Sequence, residues 1–169
     1  MRVLGIDPGT INLGYGIVEG NTQGMVMVHS GVLSLSPKLP IEQRLCSLHK
    51  KICEIITNFI PDEVAIEEPF VAGNARSALA LGRAQAVAIL AAAERNLPIF
   101  RYLPAQVKQQ VTDYGGSNKE QVKEMVRIQL GLSEPIRSYD TADALAVAIC
   151  HIYQKCFKDL IEDCGKDRK

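Results

Sequence analysis

The sequence has no tryptophan, and aromatic residues make up only 5% of its 169 positions. Large exposed stacking platforms are therefore not expected. Charge of one sign is also lacking, since 19 Lys and Arg stand against 19 Asp and Glu. That balance excludes a polybasic tail, an acidic sponge and a uniformly cationic surface, though local patches can exist. Long hydrophobic runs are missing too. The most apolar stretch, residues 86–93, falls far short of the ~18 residues a membrane span needs. The opening residues reach an acid at Asp7, too soon for an apolar targeting segment. Five cysteines form no C-x-x-C pair, which speaks against a disulfide framework. A reduced, cytoplasmic protein without a membrane anchor is expected.

What is present is ordinary globular composition, 47% hydrophobic and 22% charged. This suffices for one domain with a substantial core, expected over residues 1–156. Residues 157–169 are crowded with Lys, Asp and Glu and read as a charged tail that frays. Residues 2–7 are an apolar run stopped by Pro8-Gly9, which predicts a strand ending in a turn. Residues 14–19 and 25–36 read as two further strands around a turn at Asn21 and Gly24. Three strands this close predict an antiparallel meander. In residues 41–59, Leu45, Leu48, Ile52, Ile55 and Phe59 step by three or four, so a helix follows. A short strand over 64–67 ends on acids. The alanine-rich stretch 74–96 predicts a long helix with Asn74 as its cap. Residues 99–102 form another strand and 106–112 a helix. Ser117 with Glu120 fits a capping box for a helix to Leu130, and 141–156 is the last helix. Strands first, then strands alternating with helices, predict an α/β fold. Its five-stranded mixed sheet combines an antiparallel meander with parallel strands, and helices cover both faces.

Acids stand where apolar structure stops. Asp7 ends the first strand and Glu67 the fourth. Asp140 and Asp143 open the last helix, three residues apart and so on one side of its first turn. Each has an ordinary reading alone: Asp7 as a turn former, Glu67 as a solvated strand end, Asp140 as a helix cap. Together they suggest more. Parallel neighbouring strands bring Asp7 and Glu67 to one sheet edge, where open α/β sheets place their sites. If the last helix starts there, four carboxylates converge. They would hold protons unless a cation sits among them. Oxygen-only ligation selects a hard divalent ion, Mg²⁺ or Mn²⁺. Two such ions ~4 Å apart can activate water on one side of a phosphate and steady the leaving oxygen on the other. The chemistry implied is phosphodiester hydrolysis. A zinc site on the helical face of Cys46, His49 and Cys53 is disfavoured, because that face continues an apolar stripe and no fourth ligand is apparent.

Five blocks then carry a resemblance over residues 1–151. They are Gly5-Ile6-Asp7-Pro8-Gly9-Thr10 with Gly14-Tyr15-Gly16, Ala65-Ile66-Glu67-Glu68-Pro69-Phe70, Asn74-Ala75-Arg76-Ser77-Ala78-Leu79, Gln106-Val107-Lys108-Gln109, and Asp140-Thr141-Ala142-Asp143-Ala144-Leu145-Ala146. In this order they resemble the RuvC family of Holliday junction resolvases, within the ribonuclease H-like superfamily. The resemblance implies a ribonuclease H-like sheet and an endonuclease that cuts four-way DNA junctions symmetrically, as a homodimer, in recombination and repair. It implies Mg²⁺, two ions per site, with Mn²⁺ as a substitute. It makes Asp7, Glu67, Asp140 and Asp143 the metal-binding catalytic acids. Glu68 is the ambiguity, but alternation along a strand points it the other way. Lys108 and Lys119 match lysines near the scissile phosphate, and Lys108 joins the catalytic set. Phe70 matches an aromatic that wedges between bases near the crossover. Arg76, Lys123 and Arg127 are candidates for backbone contacts, although a solvated helix face is the plainer reading of the last two. RuvA and RuvB, the branch-migration proteins, are the implied partners. A short motif with paired thymines is the implied cleavage preference.

Rival readings have specific weaknesses. Asp7-x-Gly9-Thr10 also resembles the phosphate hairpin of actin-like ATPases, but those need a second such hairpin. A YqgF-type nuclease shares the opening but not the Glu67–Phe70 and Asn74–Leu79 blocks. A non-catalytic junction-binding module would not need the full acid set.

Overall fold

The first apolar run forms strand β1 (Arg2–Asp7), the centre of a five-stranded sheet ordered β3-β2-β1-β4-β5. A computed structural model of the chain describes residues 1–21, 23–68 and 75–166, apart from the side chains of Arg76 and of residues 159–166. β2 (Asn12–Asn21) and β3 (Gly24–Ser34) complete the antiparallel meander with β1. β4 (Glu63–Glu67) and β5 (Ile99–Tyr102) run parallel to β1 and to each other. Parallel neighbours need crossover helices. α1 (Ile41–Phe59) leads into β4, and α2 (Ala75–Ala93) leads from β4 to β5. α3 (Pro104–Thr112), α4 (Lys119–Gln129) and α5 (Tyr139–Lys166) follow. The mixed sheet expected from the sequence is the one observed.

Strand alternation divides the core in two. Leu4, Ile6, Val64 and Ile66 face Leu48 and Ile52 of α1 and Ala84 and Ala88 of α2. Val3, Ala65 and Tyr102 face α3, α4 and, on α5, Ala142 and the buried run Leu145 to Cys150. Each fully buried Leu, Ile or Val contributes roughly 1.5–3 kcal/mol. α5 presses on the sheet because glycines pave the floor beneath it. A Cβ on Gly5 would lie 2.1 Å from the Ala144 carbonyl oxygen, and one on Gly14 1.9 Å from that of Asp140. One of Gly16 would meet Leu145. This close approach brings the first turn of α5 to the end of β1.

A buried relay ties α5 to the sheet at its other end. Burial favours neutral His151, holding its pKa below the usual value. The ring meets Tyr102 Oη at Nδ1, 2.6 Å away, and Glu63 Oε2 at Nε2, 2.5 Å away. Lys155 Nζ donates to the other Glu63 oxygen at 3.0 Å.

Helix ends differ from expectation. α4 is capped by Asn118, whose side chain accepts from the Gln121 N–H while the Gln121 side chain answers to the Asn118 N–H. Ser117 instead turns inward, 2.6 Å from Thr112 Oγ1. α5 begins at Tyr139, two residues early, and its backbone stays helical to Lys166 rather than ending at Cys156. α2 ends at Ala93, before Asn96 at φ 56°. Asn74, the expected cap of α2, lies outside the described residues.

Candidate active site

Pairing of Ile6 with Ile66 puts the carboxyl ends of β1 and β4 side by side. Asp7 and Glu67 are the next residues on each strand. Both point to the α5 side, as Val3 and Ala65 do. Their carboxyls share a hydrogen bond. The glycine floor brings Asp143, on the first turn of α5, to the same place. Asp7, Glu67 and Asp143 line a cavity of about 230 Å³ with Pro104, Val107, Lys108, Lys119 and Val122. Asp140 is outside that lining, yet its charge acts on Asp7 and Asp143.

Electrostatics here are adverse to bare carboxylates. Burial first, and then the charges of Glu67 and Asp143, push Asp7 up to about 8. Glu67 rises to about 6, chiefly by burial and the Asp143 charge, although its hydrogen bond with Asp7 and the two lysines lower it. Burial also raises Asp143, against the pull of Lys119, whose Nζ is 3.6 Å from Asp143 Oδ2. Burial and mutual repulsion thus push the Asp7–Glu67 pair as a unit toward holding a proton. Acids pressed together in a half-dry pocket lose that strain when a cation replaces the proton. The donors are all carboxylate oxygens, which suit a hard divalent ion and not a soft one. Asp7, Glu67 and Asp143, with Asp140 beside them, are the residues that could hold it.

The other residues singled out in the sequence divide. Lys108 and Lys119 reach the cavity. Glu68 does not; its side chain turns to Arg101 Nε at 3.7 Å. Lys123 stands outside the lining, with its Nζ over the Tyr139 ring. Arg127 is not brought to the site, being held by Glu124 at 2.7 and 2.9 Å and by the Leu132 carbonyl at 2.9 Å. Phe70 and the Arg76 side chain lie outside the described residues. Sequence reasoning missed Tyr139, whose one signal was an aromatic residue directly before Asp140.

His49, Cys53 and Glu94 form a separate cluster between α1 and α2, their donor atoms all within 4.8 Å. Exposed Cys46 is not in this cluster. The donors already have partners. His49 Nε2 pairs with Glu94 at 3.1 Å, and Arg95 Nη1 sits 3.1 Å from Cys53 Sγ. A divalent cation there would stand beside a guanidinium, so the cluster reads as a clasp between the two helices.

Known proteins resemble this chain in sequence and in fold. A family model described as "Crossover junction endodeoxyribonuclease RuvC" matches residues 3–151. The chain belongs to the RuvC family. A RuvC of that description from Dehalococcoides mccartyi (strain BAV1) is 50% identical over 163 residues, covering 95% of this chain and 96% of the relative. One from Chloroflexus aurantiacus is 46% identical over 153 residues, covering 90% and 93%. Among solved structures, Thermus thermophilus RuvC in complex with a Holliday junction substrate matches at TM-score 0.88 and 36% identity, covering 94% of this chain and 96% of that one. The yeast mitochondrial resolvase Ydc2 shares the fold at TM-score 0.68 and 18% identity, covering 98% of this RuvC-family chain and 83% of its own.

Proposed function

We propose that this chain is an endodeoxyribonuclease that resolves Holliday junctions by hydrolysing a phosphodiester in paired, symmetric nicks. The observation that carries the reading is the meeting of Asp7, Glu67 and Asp143 with two lysines in one cavity at the carboxyl edge of the sheet. Asp7, Glu67, Asp140 and Asp143 would hold Mg²⁺, two ions per site, or Mn²⁺ in its place. When bound, the ions supply Lewis-acid chemistry that polarises the phosphodiester and lowers the pKa of a water. Lys108 and Lys119 face the scissile phosphate and offset charge developing on it. Val107, Val122 and Pro104 wall the cavity and thin the water around those charges. Lys123 takes the adjoining backbone. Phe70 stacks on a splayed base and Arg76 meets a phosphate, roles supported by the sequence resemblance alone. Residues 1–156 act as the nuclease unit and 157–169 as its charged appendage.

Two nicks across one junction call for two-fold symmetry. α2 supports a homodimer. Its exposed residues Leu79, Arg83, Ala86, Leu90 and Ala93 step by four and three, the spacing that suits a second helix. RuvA and RuvB are the partners that the resemblance supplies. Among the described residues no helix is long and apolar enough to cross a membrane; action on cytoplasmic DNA is what the resemblance supplies.

The test is cleavage of a mobile four-way junction with Mg²⁺, beside a linear duplex of the same sequence. Paired nicks in the junction alone are expected. Asp7→Asn is expected to bind junction and not cut it. Equal cutting by that variant removes Asp7 from the reaction, and a wild type that binds without cutting makes the chain a binding module.

A further inference from the structure

Tyr139 is the first residue of α5, next to Asp140, and it does not fill the core: it is 40% exposed. Among the described residues its ring and hydroxyl meet three side chains of the first turns of α4. The ammonium of Lys123 lies 4.9 Å from its ring centroid and that of Lys119 5.8 Å. Its hydroxyl donates to the Glu120 carboxylate. One side chain thus holds two lysines by its face and the acid between them by its edge. The same Lys119 reaches 3.6 Å from Asp143.

Each contact has a consequence. Two ammoniums on one helical face repel, and a negative ring face draws both to a common place. Glu120 is three residues from Lys123, near enough on a helix to pair with it and draw its charge away from DNA. The tyrosine hydroxyl occupies that carboxylate instead. Ring and hydroxyl work toward one end, a pair of cations gathered at the mouth of the acid cavity, where Lys119 also meets Asp143.

We propose that Tyr139 is a positioning residue for junction cleavage, acting through Lys119 and Lys123. It sets Lys119 beside the acids for the scissile phosphate and Lys123 outward for the neighbouring one. The inference rests on the nuclease reading above. It is not a catalytic role, since Tyr139 acts through the lysines and not on the reacting atoms.

Tyr139→Leu removes ring and hydroxyl; Tyr139→Phe removes only the hydroxyl. Both are measured for single-turnover junction cleavage with Mg²⁺, and for junction binding in chelator over a salt series. Tyr139→Leu is expected to slow cutting on the order of tenfold and to flatten the salt slope by one or two phosphates. Tyr139→Phe should lose on the order of two- to threefold. The deciding step repeats Tyr139→Leu in a Lys119→Ala/Lys123→Ala background, where a residue acting through those lysines has no further effect. An undiminished loss there overturns the proposal, as does an unchanged rate and slope in the single variant. Thermal unfolding of each variant separates misfolding from misplacement. If the wild type binds junction but never cuts, the nuclease reading falls, and the salt slopes with and without the lysines still decide the role of Tyr139.

Discussion

Asp7 should make the metal-free protein less stable as pH rises, and removing its charge should reverse that. The carboxyl lies at about 8 in the fold against an ordinary 3.8. An acid raised in the folded state favours folding while it keeps its proton. That contribution is full below pH ~4 and is lost as pH rises toward 8. A shift of this kind spans about four pH units, and each unit is worth about 1.4 kcal/mol. The cavity is reached by solvent and Glu67 shares the proton, so the usable part is roughly half, about 2–3 kcal/mol. In a chain of this size that corresponds to about 5–10 °C in Tm.

The perturbation is Asp7→Asn, which resembles the protonated acid at every pH. Thermal unfolding is followed in chelator from pH 5 to pH 8. The gap between variant and wild type should be small at pH 5 and should widen by about 5–10 °C at pH 8, with the variant more stable. Buried His151, its pKa lowered, pulls the other way, losing stability as pH falls below its ordinary value. Both proteins carry it, so it cancels in the difference. Added Mg²⁺ should then raise the wild type at pH 8 far more than the variant, since binding stabilises by mass action. A gap that stays constant across the range refutes the claim that crowded carboxyls carry this strain.

Two other outcomes follow from packing. Gly14→Ala would force a Cβ to within 1.9 Å of the Asp140 carbonyl oxygen. Overpacking of this kind costs about 1–3 kcal/mol; urea unfolding should register that loss, and cleavage should fall further than stability because the first turn of α5 is displaced from Asp7. His151→Leu leaves Glu63 and the Tyr102 hydroxyl short of a partner. Urea unfolding should fall by about 2–4 kcal/mol, while the cleavage rate of the folded fraction stays near wild type.

The legible parts of this chain were those set by local pattern. An apolar run that ends on an acid marks a strand and its edge, and Asp7 and Glu67 lie where that pattern puts them. Parallel strands beside the meander were expected from strands first and then strand–helix alternation, and β1 pairs with β4 in that sense. What stayed hidden depends on which partner wins a competition. Ser117 and Asn118 are both good caps, and Asn118 prevails because Thr112 holds Ser117 inward. Arg127 and Lys119 are both cations of α4, yet Glu124 stands one turn from Arg127 and takes it, while Lys119 is left to reach Asp143. The spacing of Gly14-Tyr15-Gly16 was plain, but its reason was not, because the helix that needs the missing side chains lies some 130 residues further along. The acids could be found by where structure stops. The groups that place the cations around them could be found only by what α4 and α5 bring into contact, and Tyr139 is such a contact.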